Sequence, residues 1–120
     1  MPNNLSLGRL GERIAVDYLS REGYQIIETN FHKRWGEIDI VAQDKDTLVF
    51  VEVKTRMEGD RITPEESMTG RKINSIKRSG QYYKLKHPEL PENLRIDFLG
   101  IVLNEKFKPV RINLVKNIFF

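Results

Sequence analysis

The 120-residue sequence predicts an α/β fold: a central mixed β-sheet flanked by two main helices, in the order αβββαββ. Three observations carry this. Apolar residues recur at helical spacing over residues 5–22 and stop at Gly23. Two strand-like segments, Glu37 to Gln43 and Thr47 to Thr55, flank a three-residue turn. A second helical segment, Arg71 to Lys86, separates these strands from two more. The length fits one domain spanning residues 1–120.

In order, Leu7, Leu10, Ile14, Tyr18 and Leu19 form the stripe of the first helix, with Asn4 or Ser6 as its cap. Tyr24 to Phe31 is rich in β-formers (Ile26, Ile27, Thr29, Phe31) and reads as a strand. Asp44-Lys45-Asp46 is the turn between the next two strands. Arg56 to Thr63 is a polar loop, and Thr63-Pro64-Glu65-Glu66 is a helix-start signature. Gly70 breaks that start into a short turn and the longer helix, which His87-Pro88 ends. Leu94 to Leu103 and Val110 to Val115 are the last strands, joined by a turn over Glu105 to Pro109. The apolar ending Ile118-Phe119-Phe120 is expected to dock onto the sheet.

Composition narrows the chemistry. There is no cysteine, which excludes disulfides, thiolate zinc sites, iron–sulfur clusters and cysteine nucleophiles. No apolar run approaches the ~18 residues of a membrane span, and Met1 to Gly8 lacks the pattern of a signal peptide. A cytoplasmic protein with no membrane partner is the expectation. His32 and His87 look isolated, and Gly8 and Gly11 open no phosphate loop. The net charge of +3 conceals an asymmetry. Residues 71–86 hold six of the 20 basic residues and none of the 17 acidic ones, so the rest of the chain carries −3.

The segment Leu48-Val49-Phe50-Val51 is apolar on both faces, as in a central strand, yet it continues into Glu52-Val53-Lys54. Glu52 and Lys54 share the face of Leu48 and Phe50. Charges there are costly unless paired or bound. If the hairpin closes with Asp44 opposite Thr47, Asp39 lies opposite Glu52 on the same face, and a one-residue slip would separate them. Facing carboxylates repel. A divalent cation relieves this, and two carboxylates, a main-chain carbonyl such as that of Val53, and water are the hard-oxygen set that Mg²⁺ prefers, with Mn²⁺ as a substitute. An internal salt bridge is the plainer alternative. Glu12 emerges among Gly8, Ala15, Val16 and Leu19, either as a boundary residue or as a third acid of the site. Glu37 shares the Asp39 face and reads either as an outlying ligand or as a solvated strand start.

In the second helix Ile73, Ile76, Gly80 and Tyr83 form the apolar stripe. Lys72 and Ser79 flank it within reach of the site, and Arg71, Ser75, Arg78 and Tyr82 point outward. With Lys77, such a face suits a phosphate backbone or is simply solvated. Lys33, Arg34 and Trp35 precede the Glu37 strand; Trp35 suits stacking on a base or wedging a junction, and equally a lid on the core.

Two segments, Gly36-Glu37-Ile38-Asp39-Ile40-Val41 and Phe50-Val51-Glu52-Val53-Lys54-Thr55-Arg56, resemble the acid and E-x-K elements of the PD-(D/E)XK nuclease superfamily. With Glu12 on a leading helix, the pattern is most similar to the archaeal Holliday junction resolvase branch. From Leu7 to the C-terminus, including Arg95-Ile96-Asp97-Phe98, the chain resembles the YraN family of small nuclease-like bacterial proteins. Ile38 stands where the superfamily's nominal Pro would be. The resemblance implies a restriction-endonuclease-like fold and a metal-dependent endonuclease acting on DNA, including branched DNA. It implies that Asp39 and Glu52 hold Mg²⁺, that Glu12 completes the site directly or through water, and that Lys54 acts on the attacking water or the scissile phosphate. Arg71, Lys72, Lys77, Arg78, Lys33, Arg34, Trp35 and Arg56 are the expected nucleic-acid-binding set. Resolvases of that branch act as symmetric dimers, which leaves a homodimer open. The alternatives are a nucleic-acid-binding protein without catalysis and an interaction module with a structural acidic cluster.

Overall fold

The computed structural model describes residues 4–119, with side chains from Leu7 onward. Helix α1 (Asn4–Arg21) is followed by strands β1 (Gln25–Lys33), β2 (Gly36–Asp44) and β3 (Thr47–Met57). A single 3₁₀ turn (Glu65–Ser67) and helix α2 (Gly70–Lys86) lead to β4 (Asn93–Leu103) and β5 (Pro109–Phe119). The side chains of the expected caps Asn4 and Ser6, and Phe120 of the docking end, lie outside what is described. Among the described residues no helix is long and apolar enough to cross a membrane.

The sheet order is the chain order, β1-β2-β3-β4-β5. β1, β2 and β3 form an antiparallel meander, β3 and β4 are parallel across the α2 connection, and β4 and β5 are antiparallel. Parallel neighbours need a long crossover, which α2 supplies. β3 is central and alternates cleanly: Val49 and Val51 face the α1 layer, Leu48 and Phe50 the α2 layer. The turn register is the expected one, Asp44 opposite Thr47. Lys45 takes a positive φ of 57° to make that turn.

α1 buries Gly11, Ala15 and Leu19, an i, i+4, i+8 stripe of mostly small residues that brings the helix close to the sheet. The closest point is Gly11. A Cβ there would stand 1.8 Å from Thr55 Oγ1 and 2.9 Å from Thr55 Cβ. Gly11→Ala is therefore expected to cost about 1–3 kcal/mol despite alanine's better helix propensity. Thr55→Ala in the same chain should return part of it, as read from urea midpoints. A single variant as stable as the parent would refute the close approach.

At the helix-start signature, Thr63 Oγ1 accepts from Glu66 N–H (3.2 Å) and donates to Glu66 Oε1 (3.0 Å). The turn lasts only three residues before Met68 becomes extended. Thr69 then recaps the chain, its Oγ1 accepting from Lys72 N–H at 3.2 Å. The last strand runs four residues beyond the expected Val115. Ile118 packs into the α2-side core, and Phe119 lies under Lys77 Nζ at 4.7 Å.

Candidate active site

The site forms where β2 and β3 part. Their ladder pairs run from Asp44–Thr47 to Ile40–Val51 and no further. At the next position Asp39 Oδ2, rather than a main-chain carbonyl, accepts the Val53 N–H at 2.8 Å. β2 also changes its facing here. Ile40 and Ala42 belong to the α1-side core, but Ile38, two residues away, belongs to the α2-side core. A regular pleat would put all three on one face.

Glu52 is 2 % exposed, and its carboxyl lies within hydrogen-bonding reach of that of Asp39. The two acids that hairpin register was expected to bring together do meet. Burial first, and the Asp39 charge second, push Glu52 up to about 8. Asp39 is also raised, chiefly by burial, with the Val53 N–H pulling the other way. The cation on Glu52 is Lys72 of α2, with Nζ 3.3 Å from Oε2. Burial opposes the ammonium, but attraction to Glu52, joined by Asp39 and Glu37, outweighs it and keeps the Lys72 pKa above its ordinary value. One proton together with Lys72 would balance the two carboxylates.

An open cleft of about 630 Å³ lies beside the pair, lined by Glu12, Asn30, Glu37, Asp39, Lys54 and Arg56. Glu12 Oε1 accepts from Asn30 Nδ2 at 2.7 Å. Its pKa is raised, by burial and then by Asp39. Asn30 was not foreseen; it sits at φ 56°, a conformation that asparagine tolerates better than most residues, and that feature is its signal. Glu37 lies across the β1–β2 ladder from His32, with Oε2 3.4 Å from Nδ1, so His32 is not isolated.

The remaining expected residues divide. Arg71 and Arg78 are exposed on α2, and Arg34 at the β1–β2 turn. Lys72 and Lys77 are engaged within the molecule, as is Lys84, whose Nζ donates to the Pro88 and Leu90 carbonyls. Arg56 donates to Ser67 Oγ at 2.9 Å while lining the cleft. Lys33 and Trp35 gather with Tyr82 of α2.

Among the described residues no three acids or histidines stand close enough to cage a metal ion. The donor set that fits is smaller: Asp39 and Glu52, whose mutual repulsion and raised pKa values a divalent cation would relieve, with water filling the remaining positions. The same pair sets a pH dependence. Between the ordinary 4.5 and about 8, Glu52 binds more proton in the folded than in the unfolded chain. Stability in chelator should therefore fall as pH rises through that window. Melting temperatures from about pH 5 to 8 check this, and a rise across the range would contradict it.

Residues 11–101 match the model of the uncharacterised protein family UPF0102. A UPF0102 protein of Caldicellulosiruptor bescii is 42% identical over 118 residues, covering 98% of this chain and 99% of its own. One from Alkaliphilus oremlandii is 43% identical over 118 residues, covering 97% and 99%. One from Syntrophomonas wolfei is 40% identical over 102 residues, covering 85% and 89%.

Proposed function

The chain belongs to the UPF0102 (YraN) family, and on that premise we propose that it is a divalent-metal-dependent endonuclease that hydrolyses DNA phosphodiester bonds on a restriction-endonuclease-like fold. The observation that carries the reading is the carboxyl–carboxyl contact of Asp39 and Glu52 at a strand opening, with Lys54 two residues beyond Glu52 and lining the adjoining cleft. Asp39 and Glu52 would hold Mg²⁺ or Mn²⁺, which when bound supplies charge neutralisation at phosphorus and an acidified water. Lys54 faces the phosphate and offsets charge that builds on its oxygens. Glu12, oriented by Asn30, orders water at the cleft side of Asp39. Arg56 brings a guanidinium to the same cleft.

Lys72 on Glu52 supports a second reading, a nucleic-acid-binding protein in which a fixed ammonium takes the cation's place. A cleavage assay on linear, nicked and four-way-junction DNA with Mg²⁺ or Mn²⁺ separates the two. Metal-dependent nicking that Lys54→Ala removes supports the endonuclease. Salt-sensitive binding with no cleavage on any substrate supports the second reading and overturns the first.

A further inference from the structure

We propose that Trp35, with Tyr82, Lys33 and Lys86 around it, is a stacking platform for an unpaired base of a single-stranded or frayed nucleic acid. This rests on the reading of the chain as directed at nucleic acid, and it adds which form of strand is held. Arg34 and Trp35 make the turn between β1 and β2, and Trp35 is 43% exposed. A lid on the core would be covered by it. Instead Trp35 meets one neighbouring ring, that of Tyr82, with centroids 5.2 Å apart and planes at 84°. In a perpendicular pair at most one indole face is covered by the partner, so at least one face remains uncovered by Tyr82. With 43% of the residue exposed, the indole offers surface on which any base can stack.

The charge around it suits a polyanion. Lys33 Nζ lies 5.7 Å from the Tyr82 ring centroid and 5.8 Å from that of Phe31. Lys86 Nζ lies 5.6 Å from the Tyr82 centroid. Arg34 is exposed beside them, and α2 carries no acidic residue from Arg71 to Lys86. The rings hold both ammonium groups near the stacking site through cation–π attraction. The acids nearest in sequence on the hairpin are engaged: Glu37 faces His32, Asp39 accepts the Val53 N–H, and Glu28 accepts from Tyr83 Oη at 2.8 Å.

The platform is also in register with the acidic cleft. Trp35 precedes Asp39 by four residues of extended chain, roughly 13 Å. Along α2, Tyr82 follows Lys72 by ten residues, about 15 Å of helix. Two independent elements thus span the same distance from the Asp39–Glu52 pair to the aromatic group. A strand stacked on Trp35 can carry its backbone along this span to the cleft. An intact duplex hides its base faces and cannot use the indole in this way.

Trp35 is the sole tryptophan of the chain, so intrinsic fluorescence reports on the proposed contact itself. The full chain in chelator, titrated with oligo-dU, oligo-rU and a blunt duplex of equal length, provides the test. Saturable quenching by a single strand and little by duplex is expected, and the tighter of the two single strands identifies the preferred sugar. By anisotropy of a labelled single strand, Trp35→Ala should weaken binding about 5- to 150-fold, and Trp35→Phe should recover most of it. Duplex affinity should change less than about 2-fold, because backbone contacts are untouched. Equal quenching by duplex and single strand, or unchanged single-strand affinity in Trp35→Ala, overturns the platform. Asp39→Asn should be quenched like the parent chain. Quenching without cleavage in metal would therefore remove the endonuclease reading and leave the platform, and cleavage without quenching would do the reverse.

Discussion

Asp39→Asn should abolish metal-dependent cleavage while raising the melting temperature of the metal-free protein. Removing groups that merely orient a metal ligand costs about 10–100-fold, and losing a ligand itself should cost no less. The stability gain follows from the hydrogen bonds. The asparagine oxygen can still accept the Val53 N–H that Asp39 takes at 2.8 Å, and its NH₂ can donate to Glu52. The repulsion disappears and no buried group is orphaned. Asp39→Ala also removes the charge, but it strands the Val53 N–H, at a cost of about 1–3 kcal/mol relative to Asn. Thermal melts in chelator and nicking assays on both variants decide it. An Asn variant that melts below the parent chain, or that still cleaves, would sink the metal assignment of Asp39.

Asp97→Ala should give the largest loss of stability, about 3–5 kcal/mol, or roughly 12–20 °C in melting temperature. Asp97 is fully buried. Its Oδ1 accepts from Arg95 Nε and from the Asn117 N–H, each at 2.9 Å. Its Oδ2 accepts from Tyr24 Oη at 2.7 Å and Arg95 Nη2 at 3.0 Å. Arg95 reaches on to Asp44 Oδ2 at 2.7 Å. This network ties the α1–β1 junction, the β2–β3 turn, β4 and β5 together. The pairing of β4 with β5 slips between Ile96 and Phe98, and Asn117 turns to φ 59° there; Asp97 takes the N–H that the irregularity leaves over. A loss under about 1 kcal/mol by denaturant titration would show the network to be dispensable. Asp44 is held below its ordinary pKa mainly by its bond to Arg95. Its contribution is therefore lost only in acid, well below the window in which Glu52 acts.

Much of this was legible in the sequence because it is local. The turn at Asp44-Lys45-Asp46 sets the hairpin register, and the register sets Asp39 beside Glu52. Glycine and proline positions placed the ends of both helices to within one residue. What escaped depends on how elements sit against one another. Lys72 was expected within reach of the site, but its pairing with Glu52 needs the docking of α2, which no spacing within the helix specifies. Gly11 stood out only as a glycine that opens no phosphate loop, although its lack of a Cβ is what admits Thr55. The change of facing at Asp39 was hidden because Ile38 and Ile40 are equally apolar, so alternation continues in the sequence where it stops in the strand. Asp97 did carry a signal, since Arg95 and Asp97 share one strand face, but its partners Tyr24, before β1, and Asn117, on β5, are remote in the chain.

The sheet whose strand order matches its chain order has a consequence for biosynthesis. Glu12, Asp39, Glu52 and Lys54 lie in the first half of the polypeptide, and Lys72 in the second. A chain leaving the ribosome N-terminus first exposes the complete acidic hairpin before α2 exists. Lys72, the cation on Glu52, is thus the last charged member of the site to be made.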